Sequence, residues 1–262
     1  MKNSEEKTTV TVSQLIKDFI FHCRFEKNLS TKTIRAYTID IHQFAAYLTI
    51  ELHITEVDNI KKDHLKNYLQ HISCFKPKTI KRKIASLKAM FNYLEYENDS
   101  YINPFRKIKV RLKEPQILPS VMTLDEVRKI LRIMYREIEE NIQPGSYTHK
   151  ARIRNLAIVE ILFATGMRVS EVCNLNYEDI NLRNGTIKIF GKGSKERFIQ
   201  VCQHETLTII RTYYQHYRRE IKTGSAFFIN RLGLPLSTQS VRLMIKAYVK
   251  KAGLNKQITP HT

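Results

Sequence analysis

No apolar run in this chain approaches the ~20 residues needed to cross a bilayer, which argues against a membrane-spanning protein. The first residues, Met1-Lys2-Asn3-Ser4-Glu5-Glu6-Lys7, hold no apolar segment of the kind a signal peptide needs, so the expected location is the cytoplasm. Cysteine is sparse. Cys23, Cys74, Cys173 and Cys202 are scattered, with no Cys-x-x-Cys pair, so they read as buried thiols rather than as a disulfide scaffold or a metal site. Internal repeats and low-complexity segments are also missing. Negative charge is in short supply: 25 Asp and Glu stand against 44 Lys and Arg, a net charge of +19. Such an excess points to a polyanionic partner, double-stranded DNA first and an anionic membrane surface a distant second. The basic residues are spread along the whole chain rather than gathered on one amphipathic face, which disfavours the membrane surface.

What is present is a folded composition, 42% hydrophobic and 26% charged, in 262 residues. That length holds one large domain or two small ones, each able to bury a core. Apolar residues at helical spacing predict a first helix over 12–25, with Leu15, Phe19, Ile20 and Cys23 inward. A second helix over 32–52 follows a Ser30 or Thr31 cap, with Ile34, Tyr37, Ile41, Phe44, Ala45 and Leu48 on its apolar face. A third is expected over 63–73. A fourth covers 78–97, with Ile80, Ile84, Leu87, Phe91 and Leu94 in register. Together these predict an all-α first domain over residues 10–105.

The fourth helix opens with Lys76-Pro77-Lys78-Thr79-Ile80-Lys81-Arg82-Lys83, in which five of eight residues are basic. Charge runs are commonly solvated helix faces. In a chain of +19, contact with a nucleic-acid backbone is the stronger reading, assigned to Lys78, Thr79, Lys81, Arg82 and Lys83. The face made by Lys32, Thr33 and Arg35 is a weaker second candidate. Residues 106–121 are basic, Pro-bearing and aperiodic, and read as an extended linker.

The remaining stretch, 122–262, reads as a second domain. Thr123-Leu124-Asp125-Glu126 is a capping box ahead of Val127, Ile130, Leu131 and Met134. Residues 137–148 read as a polar loop around Pro144-Gly145. A helix over 150–163 then delivers Ala164-Thr165-Gly166-Met167-Arg168-Val169-Ser170-Glu171, in which Gly166 ends the helix and Arg168 stands on a turn between apolar neighbours. An arginine fixed there can give forked N–H donors to an oxyanion. Two alternating runs, 186–190 and 196–201, flank Gly191-Lys192-Gly193-Ser194-Lys195 and predict a β-hairpin. Helices over 205–221 and from the Ser237 cap to about 251 complete the pattern, with Gly253 as the stop.

Thr165 to Glu171, the Gly-Lys-Gly hairpin and the closing Thr259-Pro260-His261-Thr262, in that order and spacing, resemble tyrosine recombinases of the phage-integrase family, close to the Xer type. The resemblance spans the basic two-part chain. It implies a helical, SAM-like four-helix core-binding domain, and a mostly α catalytic domain with a small β-hairpin sheet. It also implies site-specific DNA recombination or integration through a 3′-phosphotyrosine, with no metal or nucleotide cofactor. A homo-oligomer on DNA is implied too, tetrameric at synapsis.

By the same resemblance Arg168 holds the scissile phosphate. A structural salt bridge to Glu171 is the competing role, disfavoured by the motif. Lys192 becomes the general acid, with a pKa expected below the reference ~10.4 beside Arg168. Lys195 and Arg197 are backbone-phosphate contacts, and His261 helps hold the phosphate. Tyr213, Tyr214, Tyr217 and Tyr248 precede His261 and read as packing residues. The family's second arginine and its tyrosine follow the histidine, so the 262 residues are expected to bind DNA without cutting it. The alternative reading is a non-catalytic DNA-binding remnant or a competitor of an intact recombinase.

Overall fold

The computed structural model describes residues 10–113, 121–140, 143–191 and 196–254. The chain divides into two compact units, Met1–Gln116 and Ile117–Thr262, each with its own hydrophobic core.

The first unit is helical. Thr11 caps α1 (Val12–Phe21) by accepting from the Gln14 N–H, and the chain continues through one π-helical turn, His22–Glu26. Ser30 caps α2 (Thr31–Leu52), whose last turn ends on His53 in the left-handed region. Then come α3 (Lys62–His71) and α4 (Pro77–Glu97), the latter started by proline at a position that needs no N–H. Phe44, Phe91, Leu48 and Met90 are fully buried where α2 meets α4. The expected apolar stripes face this core. Phe105 and Ile108 join it from beyond the bundle, so the residues just after 105 pack against the helices.

In the second unit, Thr123 and Glu126 form both halves of the capping box at the start of α5 (Leu124–Glu139). This helix runs to Glu139, and α6 (Tyr147–Thr165) begins at Tyr147. The polar loop expected over 137–148 is therefore shorter than its composition implied. Its first residues stay helical because Glu137 is held by Lys251, Tyr248 and Arg152. The centre of the core is α6: Leu156, Ala157, Ile158 and Ile161 are wholly inaccessible.

Gly166 adopts φ +63, closes α6 and returns its N–H to the Leu162 carbonyl. A short helix, α7 (Val169–Cys173), follows where the sequence indicated only a turn. Strands β1 (Ile180–Asn181), β2 (Thr186–Phe190) and β3 (Glu196–Gln200) form an antiparallel sheet in that order, with Ile187 opposite Ile199 and Ile189 opposite Arg197. The hairpin is as expected, and β1 is an addition too short to show a period. Gly185 is obligatory at its turn, since φ is +77 and a Cβ would lie 2.8 Å from the Val201 carbonyl oxygen. Helices α8 (His204–Gly224) and α9 (Thr238–Lys251, capped by Ser237) pack on this core. Between them Ala226, Phe227, Phe228 and Ile229 are buried.

Candidate functional site

The turn that carries Arg168 is built from both sides. The Thr165 hydroxyl bonds the Ile161 carbonyl at 2.5 Å and accepts from the Met167 N–H. Met167 and Val169 are buried, which clamps the backbone on either side of Arg168. Arg168 is the extended N-cap of α7, and its N–H donates to Glu171 Oε2 at 2.8 Å. Its guanidinium donates to Oε1 of the same carboxylate at 3.0 Å, yet its side chain remains 65% exposed. The salt bridge that the motif disfavoured is thus present. Glu171 orients Arg168 without enclosing it.

Glu171 is only 6% exposed. Its Oε2 also accepts from Arg197 Nη2 at 2.8 Å. Strand alternation explains this second bond. Arg197 faces the same side of β3 as Ile199, towards the core, while Glu196, Phe198 and Gln200 face outwards. Burial opposes ionisation of Glu171, but the bonds from Arg197 and from Arg168 outweigh it and hold the carboxyl below its ordinary pKa. Arg197, 40% exposed, is held by Glu171 through one guanidinium nitrogen, and it fastens β3 to α7. One anion between two arginines leaves net positive charge at an exposed surface, suited to a phosphate diester. Lys192, Lys195 and His261 lie outside the described residues.

Tyr213, Tyr214, Tyr217 and Tyr248 pack in or against the core of the second unit. Tyr213 is fully buried, donates its hydroxyl to the Phe227 carbonyl at 2.9 Å and accepts from the Ile229 N–H. Tyr248 donates to Glu137 at 2.8 Å. Tyr217 is buried, and the Tyr214 ring stacks on Tyr177 with their hydroxyls 3.1 Å apart. Burial raises the pKa of Tyr213, Tyr217 and Tyr248, as expected of packing residues.

In the first unit Lys78, Lys81 and Arg82 are exposed along α4, and Thr79 is half-buried beside them. Lys83 is not part of that surface. It is 3% exposed, bonds Gln43, approaches Asp40 at 3.6 Å and lies over the Phe75 ring. Its place one residue before Ile84 on a helix that packs against α2 turns it inward, and that expectation is corrected. Lys32 and Arg35 are exposed on the first turns of α2, where Thr33 bonds the Ser30 hydroxyl. Asp40 and Gln43 meet Arg82 and Lys83, whereas Tyr37 and Tyr93 both pack on Phe19. The helices are therefore antiparallel, and the two basic faces lie towards opposite ends of the pair. Sequence reading missed Asp40 and the double role of Glu171, and its expectation of buried thiols holds for Cys23 and Cys173 but not for Cys74 and Cys202, which are exposed. For Asp40 the signal was a carboxylate inside the apolar stripe, three residues after Tyr37 and four before Phe44.

The Phage integrase family profile matches residues 120–262, and the phage integrase N-terminal SAM-like domain matches residues 16–98. A tyrosine recombinase of Agathobacter rectalis is 41% identical over 247 residues, 94% of this chain and 79% of that protein. The chain belongs to the phage integrase family of tyrosine recombinases. Tyrosine recombinase XerD of Listeria innocua is 31% identical over 257 residues, 96% of this chain and 82% of the relative. Among solved structures, XerH site-specific recombinase bound to palindromic difH substrate aligns with a TM-score of 0.71 at 23% identity, covering 95% of this chain and 70% of that one. A lambda integrase tetramer bound to a Holliday junction aligns at 0.63 and 18%, covering 95% and 66%. These two likenesses show the fold. The protein is thus a site-specific recombinase of the tyrosine type, an enzyme class that breaks and rejoins DNA. No described helix of this recombinase is long and apolar enough to cross a membrane.

Proposed function

We propose that this recombinase binds duplex DNA with both of its domains, residues 10–105 and 122–262 joined by 106–121, and seats the scissile phosphate on Arg168. The observation that carries this reading is the exposed Arg168 guanidinium, held by a buried carboxylate at the end of a buried helix. A tyrosine oxygen attacks phosphorus, the bond to the 5′-oxygen breaks, and a 3′-phosphotyrosine forms. Arg168 neutralises the non-bridging oxygens as charge develops. Lys192 gives its proton to the departing 5′-oxygen, and His261 adds a further donor to the phosphate. The excess of 44 basic over 25 acidic residues supports a DNA partner in the cytoplasm. Synapsis through a homo-oligomer, tetrameric when complete, fits the class.

The test is a nicked suicide duplex incubated with a chain carried past Thr262 through a tyrosine-bearing segment. A covalent adduct should form, be abolished by Arg168→Ala and be reduced by Lys192→Ala. Sulfur in place of the bridging 5′-oxygen should rescue Lys192→Ala alone, because a thiolate leaves without a proton. An adduct that survives Arg168→Ala, or sulfur rescue of both variants, overturns the assignment.

A further inference from the structure

The basic face of α4 is built over a buried carboxylate. Asp40 lies on α2, wholly inaccessible. Its Oδ2 accepts from Arg82 Nη1 at 2.5 Å and from the Ser86 hydroxyl at 2.8 Å. Among the described residues its Oδ1 has no hydrogen-bond partner, and it faces the Lys83 ammonium at 3.6 Å. Lys83 is as buried as the carboxylate, bonded to Gln43 and set over the Phe75 ring. A carboxylate out of water is costly unless it is paired. Here one anion serves two cations of opposite exposure. Lys83 neutralises it from within, and Arg82, 45% exposed, reaches it from the surface.

That asymmetry has a consequence for Arg82. A bond to an anchored carboxylate fixes one end of a planar fork of five N–H donors. Among the described residues, Asp40 is the one partner of the Arg82 guanidinium, so its other donors remain available beside Lys78 and Lys81. An arginine ordered before binding loses less rotamer freedom when a phosphate arrives. We propose that Asp40 is a positioning residue for DNA binding, holding the Arg82 guanidinium from beneath so that its remaining donors meet a backbone phosphate pre-aligned. The proposal rests on the duplex-binding reading of the first domain.

The sign of the effect separates positioning from charge. Removing a negative charge beneath a DNA-binding face strengthens binding by Coulomb attraction alone. Positioning requires that it weaken. The measurement is duplex affinity over a salt titration, with thermal unfolding recorded for each variant. Arg82→Ala should weaken binding and reduce the salt slope by about one unit. Asp40→Asn should weaken binding about three- to tenfold, the order expected when an ordered side chain is released, and that loss should vanish in the Arg82→Ala background. Asp40→Asn combined with Lys83→Met removes both buried charges, and it serves if Asp40→Asn alone unfolds. Arg82→Lys should keep the slope and lose affinity, because the charge stays and the fork does not. Ser86→Ala, which takes a bond from the same Oδ2, should lower the melting temperature without changing the slope. Tighter or equal binding by folded Asp40→Asn, or an equal loss with and without Arg82, overturns the positioning role. If Lys78→Ala, Lys81→Ala and Arg82→Ala all bind as the parent does, the face leaves the duplex and the proposal falls with it.

Discussion

The carboxylate of Glu171 and the guanidinium of Arg197 meet at 2.8 Å, across 26 positions of sequence, and lock β3 to α7, the helix that Arg168 caps. Glu171 is therefore the point at which the hairpin and the arginine turn share one ion. Glu171→Gln keeps the shape and removes the charge. Arg168 and Arg197 are exposed enough to be hydrated once released, so the expected stability loss is modest, about 1–2 kcal/mol. If Arg168 seats the scissile phosphate as proposed, the larger effect falls on chemistry, because an arginine no longer held in register misplaces the phosphate oxygens. Single-turnover cleavage by a tyrosine-bearing chain should drop roughly 10- to 100-fold, with duplex affinity nearly unchanged. Unaltered cleavage alongside reduced stability would confine Glu171 to folding.

Acid should destabilise the second domain in two stages. Burial, with His149 and Lys150 nearby, lowers the pKa of His216 below its ordinary 6.5. The unfolded chain then takes up that proton first, and stability falls as pH drops below about 6.5. Glu137 and Glu171 are both held below their ordinary 4.5, despite burial that opposes ionisation, by Lys251 and Tyr248 in one case and by Arg197 and Arg168 in the other. Their stabilisation is complete above about 4.5 and is lost as pH falls from there through the folded values. Denaturant midpoints measured from pH 8 to pH 3 should show both declines, and His216→Gln should remove the upper one only.

Much of this fold was legible because its signals are local. Ser30, Thr123 and Ser237 cap helices by bonding an N–H three residues on, and Gly166 ends α6 through its own φ. The short pieces were not legible: α7 has five residues and β1 has two, too few for any period. The buried ions were the hardest. Lys83 looks like its neighbours Lys81 and Arg82 in sequence, and only the packing of α4 on α2 turns it towards Asp40, 43 positions away. Arg197 likewise reads as one more basic residue near a hairpin tip. Its side of the strand, and the carboxylate waiting there, belong to the tertiary structure.

That distinction makes Lys83 and Lys81 opposite in behaviour. Lys83→Ala strips a buried carboxylate of one counter-ion and opens space beneath Phe75. It should cost about 3 kcal/mol of stability, in the range for breaking a buried pair. Lys78→Ala and Lys81→Ala should leave the melting temperature within about a degree or two, as exposed substitutions do, and flatten the salt slope of duplex binding. The two classes are told apart by running thermal unfolding and a salt titration on the same three variants. Equal melting temperatures for all three would return Lys83 to the surface.

The two domains are expected to share one duplex. Net charge is +8 over residues 1–112 and +11 over residues 113–262, so each half can hold DNA by releasing counter-ions. When both halves engage one duplex, the second contact forms at the effective concentration set by the segment between them, and affinity for the joined chain exceeds that of either half about 10²- to 10⁴-fold. The joined chain should also show a salt slope close to the sum of the two separate slopes. Each core is self-contained, so the halves can be made as fragments, and their folding can be checked by thermal unfolding before binding is measured. Cutting a protease site placed within residues 114–120 of the intact chain gives the same comparison without expressing either half alone. If one folded fragment matches the affinity and slope of the joined chain, only that domain contacts the duplex and the two-domain grip is wrong.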